Sequence, residues 1–308
     1  MFDLRQLRYF VAVAETLSFT QAARRLHMSQ PPLSQQIQAL EQDLGVTLLD
    51  RNKRRVALTE PGRLFLEEAR DILAHADGAR ARVADAAAGY TGRLRLAYPA
   101  SVAFHPALPQ TLLRFSSHAP SVQVELTEMY TEAQYTALAA DDQIDAGLVR
   151  ALPKHRQLEQ NLRLIVLDHE PLLLAMPASH RLATRENPIA LKEVADEAFV
   201  AQPRAHSTTL YDTLTRLAAR AGFHPSIRQE ARQVTALLAL VSAGVGMALV
   251  PASLRAVQLS GVAMLALSDP GASQLLALAC RADNRSPVLK RFVDTLEPLH
   301  GDAPKGLP

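Results

Sequence analysis

Apolar positions in the first forty-five residues recur at helical spacing in three blocks. "DLRQLRYFVAVAE" carries Leu4, Leu7, Val11 and Ala14 behind Asp3 and Gln6, which are placed as a capping box, and predicts a first helix. "SFTQAARRL" repeats the start signal in Ser18 and Gln21 and sets Ala22, Ala23 and Leu26 on one face. It predicts a short helix whose small residues admit a close neighbour. In "SQPPLSQQIQALE" and the residues after it, Leu33, Ile37, Leu40 and Leu44 form a third stripe. Proline inside a helix costs about 3 kcal/mol, but in the first turn its missing N–H had no partner to lose. With Ser29 as N-cap, Pro31 and Pro32 therefore begin this helix, whose stripe packs on the second helix while Gln30, Ser34, Gln35 and Gln38 face outward.

The pattern then changes to period two. "GVTLLDRNKRRVALTEPG" reads as two short strands, 47–50 and 56–58, around a turn where Arg51, Lys53, Arg54 and Arg55 crowd together. Thr59 is an N-cap with Pro61 in the first turn of a long helix. Phe65, Ala69, Ile72, Ala76, Ala79, Val83 and Ala86 repeat along it as a heptad seam, predicting a dimerising linker; a long surface helix on its own domain is the alternative. "GYTGR" ends that helix, and strand and helix patterns alternate from there. Strands are predicted at 94–98, 122–129, 146–149, 162–168, 172–176, 199–201, 227–230, 247–250 and 275–280, and helices at 108–118, 133–140, 210–221, 234–243 and 288–296. This alternation predicts an α/β class with largely parallel sheets, arranged as two subdomains around a cleft.

Composition sharpens this picture at a few points. With 308 residues, 48% hydrophobic and 21% charged, the chain is globular rather than disordered or fibrous. The one cysteine, Cys280, lies in the apolar run "LLALAC" and reads as a small buried hydrophobe; one cysteine builds neither a disulfide framework nor a Cys-based metal site within the chain. The N-terminus lacks a secretory pattern, and "TALLALVSAGVGMALVP" is too short and Gly-rich to span a bilayer, so a cytoplasmic protein is expected. A net charge of +2 announces no polyanion partner by itself, which leaves any basic patch to be found locally.

Such a patch follows the third helix. A short helix, a tight turn and a second helix with polar groups at its N-terminal end form a helix-turn-helix, whose second helix enters the DNA major groove. Gln suits bidentate contact with adenine, Ser reaches phosphate or base edge, and a basic hairpin beside them forms a wing along phosphates. Solvated faces on an ordinary helical bundle are the alternative reading.

Taken together, residues 7–62 resemble the DNA-binding domain of the LysR-type transcriptional regulators, without gaps, and the remaining α/β part resembles that family's effector-binding domain, a fold like the periplasmic solute-binding proteins. The resemblance implies an all-helical-plus-wing DNA-binding domain at 1–58, a linker and dimerisation helix at 59–89, and an effector-binding domain at 90–308. The last would divide into Rossmann-like subdomains, I at about 92–165 and 268–300, II at about 166–267. "PP", "LRLAYPAS" and "ELTEMYTEAQYTAL" look most similar to the branch that regulates aromatic-compound degradation in response to benzoate and muconates. On that likeness Ser101, beside Val102, and Thr131 hold an effector carboxylate near helix N-termini, which favour anions. Arg150 ends a strand at the site, and the loop with Gln202, Pro203, Arg204, Ser207 and Thr208 closes from the second subdomain. Cap or surface roles are the alternative for each. One departure concerns Gln35, where the family usually has Arg after the Ser of the reading helix; Arg favours guanine and phosphate, Gln adenine.

The resemblance further implies a homodimer through the linker, assembled as a homotetramer on double-stranded promoter DNA. An activator's contact with RNA polymerase would follow effector-driven changes in DNA bending. Rival readings are a cytoplasmic solute-binding receptor, a regulator whose vestigial cleft answers to a protein partner, and an enzyme. Against the last, "SAGVG" has no third glycine and follows a helix, the ten His show no HExxH spacing, and no Ser sits in a GxSxG elbow. No metal or cofactor is expected.

Overall fold

The computed structural model describes residues 1–52, 55–140, 143–151, 161–204 and 208–296, with backbone alone for Asn52, Arg55 and Thr208. The chain divides into two compact units, Met1–Asp85 and the part from Ala86 onward.

In the first unit α1 (Leu4–Thr16), α2 (Phe19–Arg25) and α3 (Gln30–Leu44) precede the antiparallel hairpin β1 (Leu49–Asn52) and β2 (Arg55–Leu58), and α4 (Glu60–Ala87) follows. The Asp3–Gln6 capping box closes the start of α1. At α2 only one half of the predicted box is formed, Ser18 accepting from the Gln21 N–H at 3.3 Å. Pro31 and Pro32 sit in the first turn of α3, as their missing N–H groups allow, although Ser29 caps by its extended backbone and not by its side chain. Between α2 and α3, His27 adopts a left-handed φ of 54°, which lets the Met28 N–H reach the Ala23 carbonyl at 3.0 Å and closes the turn within four residues. Leu33, Ile37 and Leu40 are fully buried with Leu7, Phe10, Val13 and Ala22.

The start of α4 belongs to this core. Phe65 packs edge-on against Phe2 at 5.8 Å and tilts on Phe10 at 5.2 Å, and Ala69 is fully buried. The heptad reading is corrected here: its first two positions are used inside the unit, because a 3.5 repeat and a globular face coincide over two turns. Further along, Ile72, Ala79 and Val83 are exposed.

The second unit comprises two lobes that share one strand. In the first lobe β3 (Thr91–Tyr98) pairs in parallel with β4 (Ser121–Glu128) and β5 (Ala146–Val149), while β11 (Ser273–Arg281) runs antiparallel between β5 and β6 (Leu162–Pro177). Helices α5 (Ala107–His118) and α9 (Pro287–Asp294) cover one face, where Phe115 meets Phe292 at 5.2 Å, and α6 (Thr131–Ala139) supplies Tyr135 and Leu138 to another cluster on the sheet. In the second lobe, β9 (Ala248–Pro251) and β10 (Val262–Ala266) flank the far half of β6. The parallel pair β7 (Ala198–Ala201) and β8 (Ser226–Glu230) joins through the Val200 N–H and the Met247 carbonyl at 2.8 Å. Helices α7 (Thr208–Arg220) and α8 (Val234–Ser242) bury separate apolar clusters.

Three expectations are corrected. The sheets are mixed rather than largely parallel, because β6 and β11 return antiparallel. Predicted strands 162–168 and 172–176 are one sixteen-residue strand: Pro171 lies opposite Ser273 at the end of the β11 ladder, next to the Leu172 N–H that bonds the Ala272 carbonyl at 2.9 Å, so the ladder there calls for no N–H from the proline. Strand β10 was not predicted. "SAGVG" forms the helix-to-strand turn expected, with Gly244 at φ 75°. Cys280 is buried, and burial raises its thiol pKa.

Candidate functional site

Two surfaces carry the chemistry foreseen in the sequence. On α3 the apolar stripe faces inward, which leaves Pro31, Gln35 and Gln38 exposed and Ser34 half-buried on the opposite face. Gln30 is exposed too, its Oε1 accepting from the Thr20 hydroxyl at 3.1 Å, which ties the start of α3 to α2. The wing is anchored by Glu41: Oε1 accepts from the Leu48 and Leu49 N–H groups at 2.9 and 3.0 Å, and Oε2 from Arg51 at 2.6 Å. Arg51 also lies over the Phe19 ring at 5.0 Å. A neighbouring carboxylate and ring thus hold Arg51 against its own unit. Lys53, Arg54 and the Arg55 side chain lie outside the described residues. Replacing Glu41 with Ala removes the acceptor of two partly buried N–H groups, so the first unit should lose about 2 kcal/mol in thermal unfolding, and Glu41→Gln, which keeps one acceptor oxygen, should lose less.

The second surface lies in the α/β unit. Parallel strands in such folds deliver their carboxyl ends to one crevice, where ligands bind. Here Ala100 and Ser101 follow β3, Tyr130 and Thr131 follow β4, Arg150 follows β5 and Gln202 follows β7, and together they line a single cavity of about 30 Å³ with Glu132, Thr209, Leu210 and Gln274. The first N–H groups of α6, which starts at Thr131, have no intrahelical acceptor. The Thr131 hydroxyl accepts from the Arg150 N–H at 3.1 Å and so fixes strand end to helix start.

Arg150 is the unusual member. Its side chain is 3% exposed and one nitrogen, Nη1, binds Glu170, itself 4% exposed. Nε and Nη2 have no hydrogen-bond partner among the described residues. Burial weakens the guanidinium's hold on its proton, against the pull of Glu170 and Asp168. Glu170, midway along β6, also accepts from the Ser253 N–H of the second lobe at 2.5 Å. Beside it, buried His105 accepts at Nδ1 from the Ala107 N–H at 3.1 Å, so its proton is on Nε2, 3.1 Å from Asp168. Burial is the main cause that lowers the His105 pKa.

The helix-turn-helix with its wing and the two-lobed cleft correspond to two family models. "Bacterial regulatory helix-turn-helix protein, lysR family" matches residues 4–63, and "LysR substrate binding domain" matches residues 87–299. The chain belongs to the LysR family of transcriptional regulators.

Among relatives of this LysR-type regulator, the uncharacterized HTH-type transcriptional regulator YnfL of Escherichia coli (strain K12) is 40% identical over 94% of this chain and 96% of YnfL. The crystal structure of CbnR, a LysR family transcriptional regulator, superposes with a TM-score of 0.85 at 34% identity, covering 96% of this chain and 100% of CbnR. Full-length CbnR in complex with its target DNA gives 0.80 at the same identity, over 96% and 98% of the two chains. The BenM effector-binding domain with its effector benzoate gives 0.59 at 28% identity, over 67% of this chain and 90% of that one. This chain is therefore a DNA-binding transcriptional regulator with an effector-binding domain, in a family of regulators and not of enzymes. Among the described residues, no helix is long and apolar enough to cross a membrane.

Of the cleft residues expected in this LysR-type regulator, Ser101, Thr131, Arg150 and Gln202 come together. Val102 does not join them: it is fully buried in the first lobe's core and its N–H bonds the Pro99 carbonyl at 2.8 Å. Arg204 lies outside the lining, 74% exposed, 3.9 Å from Asp212 and 6.0 Å from the Tyr211 ring. Pro203 is half-buried beside the lining; Ser207 and the Thr208 side chain lie outside the described residues. Tyr130 and Glu132 flank Thr131 and could have been named from the same helix start. Gln274, which lines the cavity, and Glu170, which holds Arg150, had no local signal, because they come to the site only when β6 and β11 pair, with Gln274 opposite Glu170.

Proposed function

We propose that this regulator binds a two-fold promoter site as a homodimer through α4, within a homotetramer, and that a small anionic effector in the cleft alters lobe closure, DNA bending and RNA polymerase recruitment to activate transcription. Gln30, Pro31, Ser34, Gln35 and Gln38 meet base edges and backbone in the major groove, and Lys53, Arg54 and Arg55 lie along phosphates. Ser101, Thr131, Arg150 and Gln202 bind the effector, with Ser207 and Thr208 closing over it from the second lobe.

One observation carries the effector reading: Arg150 keeps two buried donors without a partner among the described residues. An unpaired buried donor costs about 1–3 kcal/mol, and more on a charged group, so a site that retains two of them fits an anion that completes them. The benzoate of BenM supports an acidic effector of this general kind. An effector acts only through differential affinity for two states, and an anion bridging both lobes supplies one.

DNase footprinting on a duplex selected in vitro by the full-length protein tests the whole reading. The footprint should change in length or hypersensitivity when a carboxylate that binds the cleft is added; an unchanged footprint with every acid that binds would overturn the coupling. On the same duplex, Arg54→Ala and Arg55→Ala should weaken binding uniformly across sequences and flatten the salt dependence by about one counterion each. Wild-type affinity and slope would make the wing tip a solvated loop.

A further inference from the structure

The polar atoms of the cleft specify more than a negative charge. Nε and Nη2 of Arg150 lie on the same edge of the guanidinium, the edge that grips a carboxylate with two parallel hydrogen bonds, while Nη1 on the other edge is held by Glu170. A carboxylate alone would leave other polar groups of the lining unanswered. Gln202 donates from Nε2 to the Arg232 carbonyl at 2.8 Å, which orients the amide and leaves its Oε1 as the atom free to accept. The Oε1 of Gln274 is buried and has no partner among the described residues. Both glutamines line the same cavity as Arg150. The buried oxygen of Gln274 requires a donor, and a simple acid such as benzoate or propionate has none when ionised.

Size points the same way. The cavity of about 30 Å³ holds two or three waters, against the roughly 150 Å³ that accommodates a benzene ring. Its lining has one aromatic residue, Tyr130, and Leu210 is the one large aliphatic side chain. A ring would demand several times the volume and an apolar wall, whereas a two- or three-carbon acid asks the lobes to part only slightly.

We infer that the effector is a small aliphatic hydroxycarboxylate, its carboxylate on the Nε/Nη2 edge of Arg150 and its hydroxyl donating to the amide oxygen of Gln274. This rests on the proposal that the cleft senses an anion. It also assigns Gln274 as the residue that sets specificity, by rejecting acids that leave its oxygen unpaired.

Calorimetric titration and thermal unfolding of the full-length protein with lactate, glycolate, propionate and benzoate test it. Lactate or glycolate should bind at least tenfold more tightly than propionate, which matches lactate in carbon skeleton but lacks the hydroxyl. Gln274→Met should bring that ratio towards one while propionate binding persists, an outcome that a merely structural role for Gln274 would not give. Arg150→Lys, which keeps the charge but not the two-pronged edge, should weaken both acids together. Equal binding of lactate and propionate, or a ratio untouched by Gln274→Met, would overturn the hydroxyl assignment. Tighter binding of benzoate would overturn the ligand class while leaving an anion-sensing cleft in place; no binding by any of the four acids would remove both.

Discussion

Replacing Glu170 with Leu is expected to lower the melting transition of the second unit by about 6–20 °C. The reason is asymmetric. Arg150 and Glu170 are both almost fully buried, and in that setting the attraction between them chiefly offsets the cost of taking each charge out of water. Removing one partner strands the other, at about 3–5 kcal/mol, and a unit of roughly two hundred residues loses about 2–4 °C per kcal/mol. Glu170→Leu also deprives the Ser253 N–H of its acceptor, loosening the one described hydrogen bond from Glu170 to the second lobe. The double variant Arg150→Met, Glu170→Leu should recover most of the lost stability, because a matched apolar pair has no charge to strand. Differential scanning calorimetry of the full-length protein checks both. A single variant that melts as the wild type does would mean that water already solvates Arg150, and the unpaired Nε and Nη2 would lose their significance as a ligand site.

How such a cluster escaped the sequence is instructive. Everything local was legible: the capping box at Asp3, the prolines at the head of α3, the Thr59 cap and nearly every strand, because those signals lie within a few residues of what they specify. Glu170 sits in "LDHEPLLLAMP", where Pro171 reads as punctuation between two short strands. Only pairing with β11, a hundred residues later, turns that stretch into one long strand crossing both lobes and carries Glu170 under Arg150. Gln274 is hidden for the same reason. Arg51 shows the opposite case: four basic residues in one turn suggest one role for all, yet Glu41, ten positions earlier on α3, takes one of them for the wing's own anchorage. The heptad on α4 misleads over its first two positions because period alone does not distinguish a core inside the unit from a seam towards a second copy. Phe65 and Ala69 serve the first, and the exposed Ile72 and Val83 are left for the second.

Gly62→Ala, a change of one methyl group, is expected to unfold or severely weaken the DNA-binding unit and leave the effector-binding unit intact. A Cβ built on Gly62 would lie 2.0 Å from the Leu48 carbonyl oxygen and 2.9 Å from its carbon, closer than real atoms approach. The obstacle is backbone and cannot swing aside. It is also held in place: the Leu48 carbonyl accepts from the Thr59 N–H at 3.0 Å, the Leu48 N–H is bound by Glu41, and the Thr59 hydroxyl both accepts from the Gly62 N–H at 3.0 Å and donates to the Thr47 carbonyl at 2.7 Å. Glycine at this point lets the first turn of α4 press directly on the residues leading into β1. Overpacking typically costs about 1–3 kcal/mol where side chains can adjust, and here the top of that range or beyond applies. For a unit of this size about 3 kcal/mol corresponds to a fall of some 12–24 °C. Affinity for a selected duplex, measured by fluorescence anisotropy at 25 and 37 °C, should drop most at the higher temperature, while the thermal shift that a bound acid gives the second unit stays as in the wild type. A variant that binds DNA normally at 37 °C would mean that α4 can lift from Leu48 without harm, and the packing of its first turn would then have no part in presenting the reading helix.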